Sequence, residues 1–482
     1  MAAFPTLRVF ADRLEPLGSY AEAQARYLSP DPSHVAALDT LLRSRGAGVV
    51  AHFYMDPELQ GVLAACSWPH IHVSDSLVMA DRAVEMAKAG CAAIIVLGVD
   101  FMSENVRAML DAAGFAHLPV LRVAAARIGC SLADAADAEA YGAYLLHAAQ
   151  TPRALHVVYI NTSLLAKARA QALLPTITVT SSNVVRTVLQ AFAQIEDVHV
   201  YFGPDTYMGR NLHTLLAGAA ALGDATCAAL HPAHDAQSVR DALPRLHHFE
   251  QGACVVHHLF GAEVTETVRV DYADAYFTAH LEVPGEMFAL AADAARSDRG
   301  VVGSTSDILK FIARKVQEPA SAEAVLAPMR FVLGTEAGMI TPIVRSLQAL
   351  LRKADEGHGP PRAVDIVFPV AADAVAADDV LGIVPGVLGG EGCSTAGGCA
   401  TCPYMKMNTL EGAMAVLRLL APVGAAVGSA SPDALVEFAP RSYRETIAGR
   451  SAASLGSEPI LAMRAFGKTG LLPPELVARV MH

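Results

Sequence analysis

The sequence is poor in charge and in aromatic rings. Only 17% of its 482 residues are charged, 6% are aromatic, and Trp68 is its single tryptophan. Basic residues are in deficit: 36 Lys and Arg stand against 48 Asp and Glu, a net charge of −12. That balance excludes a protein held on nucleic acid by a general basic surface. Long apolar runs are lacking too. Residues 419–430 are interrupted by Pro422 and preceded by Arg418, and the stretch is too short to span a bilayer. No adequate apolar h-region accompanies Arg8, Asp12 and Arg13, so a secretory signal is not expected. The resulting expectation is a cytoplasmic chain with neither a membrane nor a nucleic-acid partner. What is abundant is aliphatic. Hydrophobic residues make up 53% and mean hydropathy is +0.35, which excludes intrinsic disorder and implies large buried cores. Length suggests about three domains at roughly 150 residues each.

Short Val/Ile/Leu runs at 92–97, 198–202 and 330–333 read as buried parallel strands. Amphipathic stretches at 77–89 and 184–194 read as helices. Lining up these strands exposes an internal similarity. Three strand ends carry a Gly-x-acid turn: Gly98-Val99-Asp100, Gly203-Pro204-Asp205 and Gly334-Thr335-Glu336. Upstream of each lies a hydroxyl-rich turn: Ser74-Asp75-Ser76, Thr180-Ser181-Ser182 and Ser304-Thr305-Ser306. Further upstream come three polar strand ends: His52 with Tyr54, Tyr159 with Asn161, and His280 with Glu282. Polar residues at the carboxyl ends of parallel strands face a common crevice. A Ser or Thr capping a helix start offers bare N–H groups and a positive dipole end to anions. One such turn is an ordinary cap, whereas three at matched positions point to a ligand with several anionic groups.

Eight cysteines remain. In the absence of a secretory signal they do not read as a disulfide framework. Cys66, Cys91 and Cys227 read as plain packing residues. Cys130, Cys254 and Cys402 each follow one Gly-x-acid turn, 124 and 148 residues apart. That spacing suits one ligand per repeat meeting at a centre, rather than the close pairs of a zinc finger. Three thiolates suit an iron–sulfur cluster with one iron left open, which acts as a Lewis acid. Cys393, Cys399 and Cys402 also form a local group containing a C-x-x-C, which a zinc site or a redox disulfide explains equally well.

Taken in order, the segments Ala51-His52-Phe53-Tyr54, Asp75-Ser76-Leu77, Gly129-Cys130-Ser131, Tyr159-Ile160-Asn161, Cys254-Val255-Val256-His257, Gly303-Ser304-Thr305 and Cys402-Pro403-Tyr404-Met405-Lys406 resemble the quinolinate synthase family of the A type. Longer runs such as Trp68-Pro69-His70-Ile71-His72 resemble its plant and cyanobacterial branch. The resemblance covers about residues 40 to 415. Plant members also carry an N-terminal sulfur-transfer activator domain, for which this chain is expected to have no room. Shorter members read Gly-Asp-Ser-Leu at Ser74-Asp75-Ser76-Leu77 and His-Pro-Glu-Cys at His280-Leu281-Glu282-Val283. His280 and Glu282 survive both departures.

The resemblance implies three homologous αβα domains with short parallel sheets in pseudo-threefold arrangement around a central active site. The expected divisions are an N-terminal helical extension (1–44), domains at 45–150, 151–265 and 266–430, and a C-terminal extension (431–482). It implies a 4Fe–4S cluster on Cys130, Cys254 and Cys402, leaving Cys393 and Cys399 as a regulatory disulfide pair. It implies condensation of iminoaspartate with dihydroxyacetone phosphate to quinolinate, phosphate and two waters, in NAD biosynthesis. Glu282 is the first candidate for general base, with Tyr54 and His280 assisting, and Tyr159 and His257 polarising oxygens. His52 and Asn161 complete the polar lining, and Ser76, Ser181, Ser304 and Thr305 bind carboxylate or phosphate oxygens. Glu336 and Lys406 also fall in matched segments: Glu336 orients the turn after its strand, Lys406 faces either the phosphate or solvent, and neither is assigned a catalytic role. An upstream enzyme that makes unstable iminoaspartate, an L-aspartate oxidase or aspartate dehydrogenase, is the expected transient partner. Two alternatives remain open: an iron–sulfur electron-transfer or regulatory protein, and a zinc-binding α/β scaffold. The histidines of 209–250 (His231, His234, His247, His248) read as solvated loops and helix termini.

Overall fold

A computed structural model describes residues 4–26, 28–318, 328–355, 363–370, 401–424 and 432–482. Cys393 and Cys399, and with them the expected disulfide pair and zinc group, lie outside the described residues. Among those described, no helix is long and apolar enough to cross a membrane.

The architecture is mixed α/β, with short parallel sheets flanked by helices. It divides into two compact units. One comprises Met1–Ser44, His52–Val73 and Val255–Leu417; the other comprises Arg45–Ala51, Ser74–Cys254 and Arg418–His482. In the first unit the strands are β1 (Thr6–Val9), β2 (Leu14–Leu17), β11 (Tyr276–His280), β12 (Gly300–Gly303), β13 (Met329–Gly334) and β14 (Val364–Val367), with intervening strands named below. They form one sheet in the order β12-β11-β13-β14-β1-β2. The second unit holds β7 (Ala154–Tyr159), β8 (Thr176–Val179), β9 (His199–Gly203) and β10 (Leu246–His248), ordered β10-β9-β7-β8. It also holds most of β3 (Ala47–His52), with β5 (Ala93–Leu97) and β6 (Val120–Arg122). There β3 pairs parallel with β5, and β5 with β6; β4 (Ile71–Ser74) falls between β3 and β5 in sequence.

The expected repeat is therefore visible in the topology. In the sheets of β7–β10 and β11–β14 the first strand sits between the second and the third, and the fourth lies beyond the third; all pairs are parallel. Parallel neighbours need a crossover, and each is made by a helix such as Leu164–Leu173 or Gly285–Ala295. β5 and β7 are mostly aliphatic and buried along their whole length because both faces are covered. The helix Thr305–Gln317 buries Ile308, Phe311 and Ile312 against Phe331 and Leu333 of β13, each such side chain contributing about 1.5–3 kcal/mol.

The 1–44 segment departs from its helical expectation. It opens with the hairpin β1–β2, which joins β14 antiparallel before the helices Ser19–Arg26 and Pro32–Arg45. Leu7 and Val9 pack into the core, and Arg8 on the other face forms a two-pronged pair with buried Asp365 at 2.7 and 2.9 Å. The His-rich stretch also departs from expectation. His231 and His234 are buried, bonded to Gln190 (3.0 Å) and to the Leu189 carbonyl (2.8 Å), because each imidazole has a fixed polar partner on the helix Val184–Gln194.

Candidate active site

The three polar strand ends occupy equivalent places. His52 ends β3, Tyr159 ends β7 and His280 ends β11, each the first strand of its repeat. The hydroxyl turns follow β4, β8 and β12, and the Gly-x-acid turns close β5, β9 and β13. At Gly334 a Cβ would collide with the Thr278 carbonyl of the adjacent strand, so only glycine fits there.

In the first unit, His52, Tyr54, His257, His280, Glu282 and Thr305 come together. Glu282 is 3% exposed, with Oε2 3.1 Å from His257 Nδ1 and Oε1 3.6 Å from His280 Nδ1. The two imidazoles stack at 4.8 Å and 13°. Tyr54 stands edge-on to His52 at 4.7 Å and to His257 at 6.4 Å, its hydroxyl 3.5 Å from Thr305 Oγ1. Backbone amides of Tyr54 and Glu282 donate to Nδ1 of His52 (3.2 Å) and His280 (3.4 Å), which leaves the proton of each neutral ring on Nε2. Burial, partly offset by the Glu282 charge, pushes both histidines down to about 4, so both are neutral donors near pH 7. Burial, reinforced by Glu282, raises the Tyr54 phenol well above its usual range. Nε2 of His257 is buried and has no hydrogen-bond partner among the described residues. Such a group in a polar lining is a ready contact for a ligand atom.

The helix starts refine the expectation of hydroxyl caps. Ser304 does cap Thr305–Gln317, in a reciprocal box with Asp307. Before Ser76–Lys88 the cap is Asp75, whose carboxylate accepts from Leu77 and Val78 N–H; Ser76 is the first helical residue. Before Val184–Gln194 the cap position is Asn183, whose side chain turns back to Thr180 N, while Ser181 sits half-buried in the turn.

The second unit carries Ser76, Cys130, Tyr159, Asn161, Ser181 and Cys254. Tyr159 is buried and Asn161 half-buried in the loop that follows it. Cys130 opens the helix Ser131–Asp137. Cys254 precedes the turn His257–Leu259, and in the first unit Cys402 precedes Met405–Met407. All three are partly exposed, whereas Cys91 and Cys227 are buried. Burial lifts the Cys66 and Cys91 thiols to about 11, as plain packing predicts. Thiol sulfurs are soft donors whose chemistry fits iron, and within the first unit the buried Nε2 of His257 is left without a hydrogen-bond partner among the described residues.

The matching family model is Quinolinate synthetase A protein, over residues 36–350. A Nicotiana tabacum protein named "Quinolinate synthase, chloroplastic" is 53% identical over 99% of this chain and 66% of its own length. Its Arabidopsis thaliana counterpart of the same name is 51% identical over 99% and 67%. The chain belongs to the quinolinate synthase A family. A Nostoc punctiforme quinolinate synthase is 26% identical over 78% of the chain and 82% of its own length. The chain spans about two thirds of the length of the plant quinolinate synthases it matches. Their names correct the cytoplasmic expectation: similar relatives from tobacco, Arabidopsis and rice are called chloroplastic. Composition and the missing h-region spoke only against secretion, a different export route.

Sequence reasoning passed over a bracket beneath Tyr54. Gln60 Nε2 donates to the carbonyls of Phe53 (2.6 Å), Met55 (3.1 Å) and Gly338 (2.9 Å). Fully buried Glu336 accepts from Gly338 N (2.6 Å) and Cys402 N (3.3 Å). A Cβ on Gly338 would lie 2.6 Å from Glu336 Oε2 and 2.8 Å from the Phe53 carbonyl. Gly338→Ala is therefore expected to destabilise the fold by about 1–3 kcal/mol; an unchanged denaturant midpoint would show that the bracket has slack. The Gly-Thr-Glu motif was the available signal, and its place in the interior is what the sequence did not reveal.

Proposed function

We propose that the chain is a quinolinate synthase that condenses iminoaspartate with dihydroxyacetone phosphate to give quinolinate, phosphate and two waters, in NAD biosynthesis. The observation that carries this reading is the buried Glu282 carboxylate held between His257 and His280 at a strand end, in a chain of this family. The divisions 45–150, 151–265 and 266–430 are read as three domains on the strength of the repeated strand order.

Cys130, Cys254 and Cys402 would hold a 4Fe–4S cluster. When bound, that group supplies an open iron that polarises a substrate oxygen. The chain's own residues supply the proton chemistry. Glu282 Oε2, 3.1 Å from His257 Nδ1, takes a proton from the carbon or hydroxyl being activated. His52 and His280 present neutral Nε2–H donors to developing oxyanions. Tyr54 stays protonated and donates from its hydroxyl. Thr305, at the start of a 13-residue helix, offers an anion the positive dipole end. Asn161, Tyr159, Ser76 and Ser181 are the proposed substrate-binding residues of the second unit. The names of the plant relatives support a plastid location, and an enzyme that oxidises aspartate is the expected supplier of iminoaspartate.

The test is an anaerobic assay for quinolinate from the two substrates, with iron and sulfide analysis of Cys→Ser variants. Cys130, Cys254 and Cys402 variants are expected to lose the cluster, and Cys66→Ser to keep it. A full complement of iron and sulfide in Cys254→Ser would break the ligand set. Zinc without sulfide in the unaltered protein would sink the reading.

A further inference from the structure

The loop after β7 carries Asn161, and it is tied down from beneath by charged groups that the mechanism does not use. Lys167, fully buried, donates from Nζ to the carbonyls of Ile160 (3.1 Å) and Thr162 (2.5 Å) on either side of Asn161. Ser163 Oγ donates to Asp137 (2.9 Å). Leu164 N, just past the loop, donates to Oε2 of buried Glu104 (2.8 Å). The other Glu104 oxygen accepts from the hydroxyl of Tyr443 (2.7 Å). Tyr443 lies well beyond residues 36–350, where the family model matches.

The same C-terminal segment reaches Leu164 a second way. Gly456, in the helix Ala452–Thr469, approaches so closely that a Cβ would collide with the Leu164 carbonyl and side chain. Two contacts from one segment thus converge on the residue that ends the Asn161 loop. Burying Lys167 and Glu104 is costly. Desolvation lowers the lysine to about 7 and raises the glutamate, and apolar residues would fill the space more cheaply. The network therefore buys geometry at the expense of stability.

We propose that Tyr443, with Glu104 and Lys167, is a positioning group for Asn161, so that residues 432–482 set the affinity for the dicarboxylate. This rests on the reading of Asn161 as a carboxylate anchor. In this role the side chains act by fixing the backbone on both sides of Asn161.

The test compares Tyr443→Phe, Asn161→Ala and a control, Leu476→Ala, which truncates a buried residue of the same segment. Quinolinate binding is measured by anaerobic calorimetry on the full-length, cluster-loaded protein, alongside kcat, KM and melting. Tyr443→Phe is expected to raise the quinolinate Kd and the dicarboxylate KM about tenfold, with kcat within about twofold, since one hydrogen bond to a charged group is removed away from the reacting atoms. Leu476→Ala is expected to lower the melting temperature without moving Kd. If Asn161→Ala weakens binding and Tyr443→Phe does not, positioning is overturned and the anchor reading stands. If Asn161→Ala leaves Kd unchanged, the anchor reading falls and positioning with it. Failure of quinolinate to bind the unaltered protein overturns the proposed function itself. Should Tyr443→Phe fail to fold, Glu104→Gln, which keeps one acceptor oxygen on the same stem, carries the comparison.

Discussion

Replacing Glu282 with Gln is expected to lower kcat by about 10²–10⁴-fold, the range for loss of a positioned general base. The amide keeps the volume of the carboxylate, so cluster content and near-ultraviolet dichroism are expected to remain those of the parent. What it loses is the ability to take a proton between His257 and His280. His280 does not replace it readily, because burial pushes it down to about 4 and makes it a weak base near neutrality. Single-turnover quinolinate formation under anaerobic conditions is the measurement. A kcat within tenfold of the parent, at equal iron content, would remove Glu282 from the role of base and leave it an orienting group for His257.

The second large effect concerns Glu336 and pH. Burial pushes its carboxyl up to about 8, against an ordinary value of 4.5. The folded chain therefore keeps a proton that the unfolded chain gives up. Stability from this group is fully present below pH 4.5 and is lost as pH rises through 8. The linked free energy is roughly 3–5 kcal/mol. Glu336→Gln cannot titrate, so its unfolding free energy is expected to gain on the parent by that amount between pH 4.5 and pH 8, measured by denaturant titration of the cluster-free chain. His52 and His280 act with the opposite sign. Their folded values near 4 lie below the ordinary histidine value of 6.5, so stability falls as pH drops from 6.5 towards 4. That contribution is common to parent and variant and cancels in the difference. Parallel pH curves for the two proteins would show that the Glu336 carboxyl is charged in the fold.

What was legible in the sequence is what lies at the ends of strands. His52, Tyr159 and His280 were readable because a short aliphatic run stops at each of them, and the topology puts all three on equivalent first strands. The Gly-x-acid turns were readable for the same reason. The helix caps were only half readable: hydroxyls share each turn with a carboxylate or an amide, and which one wins depends on backbone angles that spacing does not encode. Asp75 and Ser304 won, and Asn183 turned away. The Gln60–Gly338 and Glu104–Tyr443 bonds were not readable at all. They join residues 278 and 339 positions apart, and no local pattern marks either partner. His231 and His234 were misread as solvated, because their polar partners lie on another helix 41 and 45 positions away.

The N-terminal hairpin has a consequence outside chemistry. Without β1 and β2, β14 would end its sheet with a row of open N–H and C=O groups, a template for strands of other molecules. The hairpin replaces that edge with β2, which carries Glu15 and Pro16. A proline has no N–H to offer an incoming strand, and a charged residue disfavours one. The hairpin of β1 and β2 acts as a stopper against aggregation, ending the sheet in a strand that resists extension.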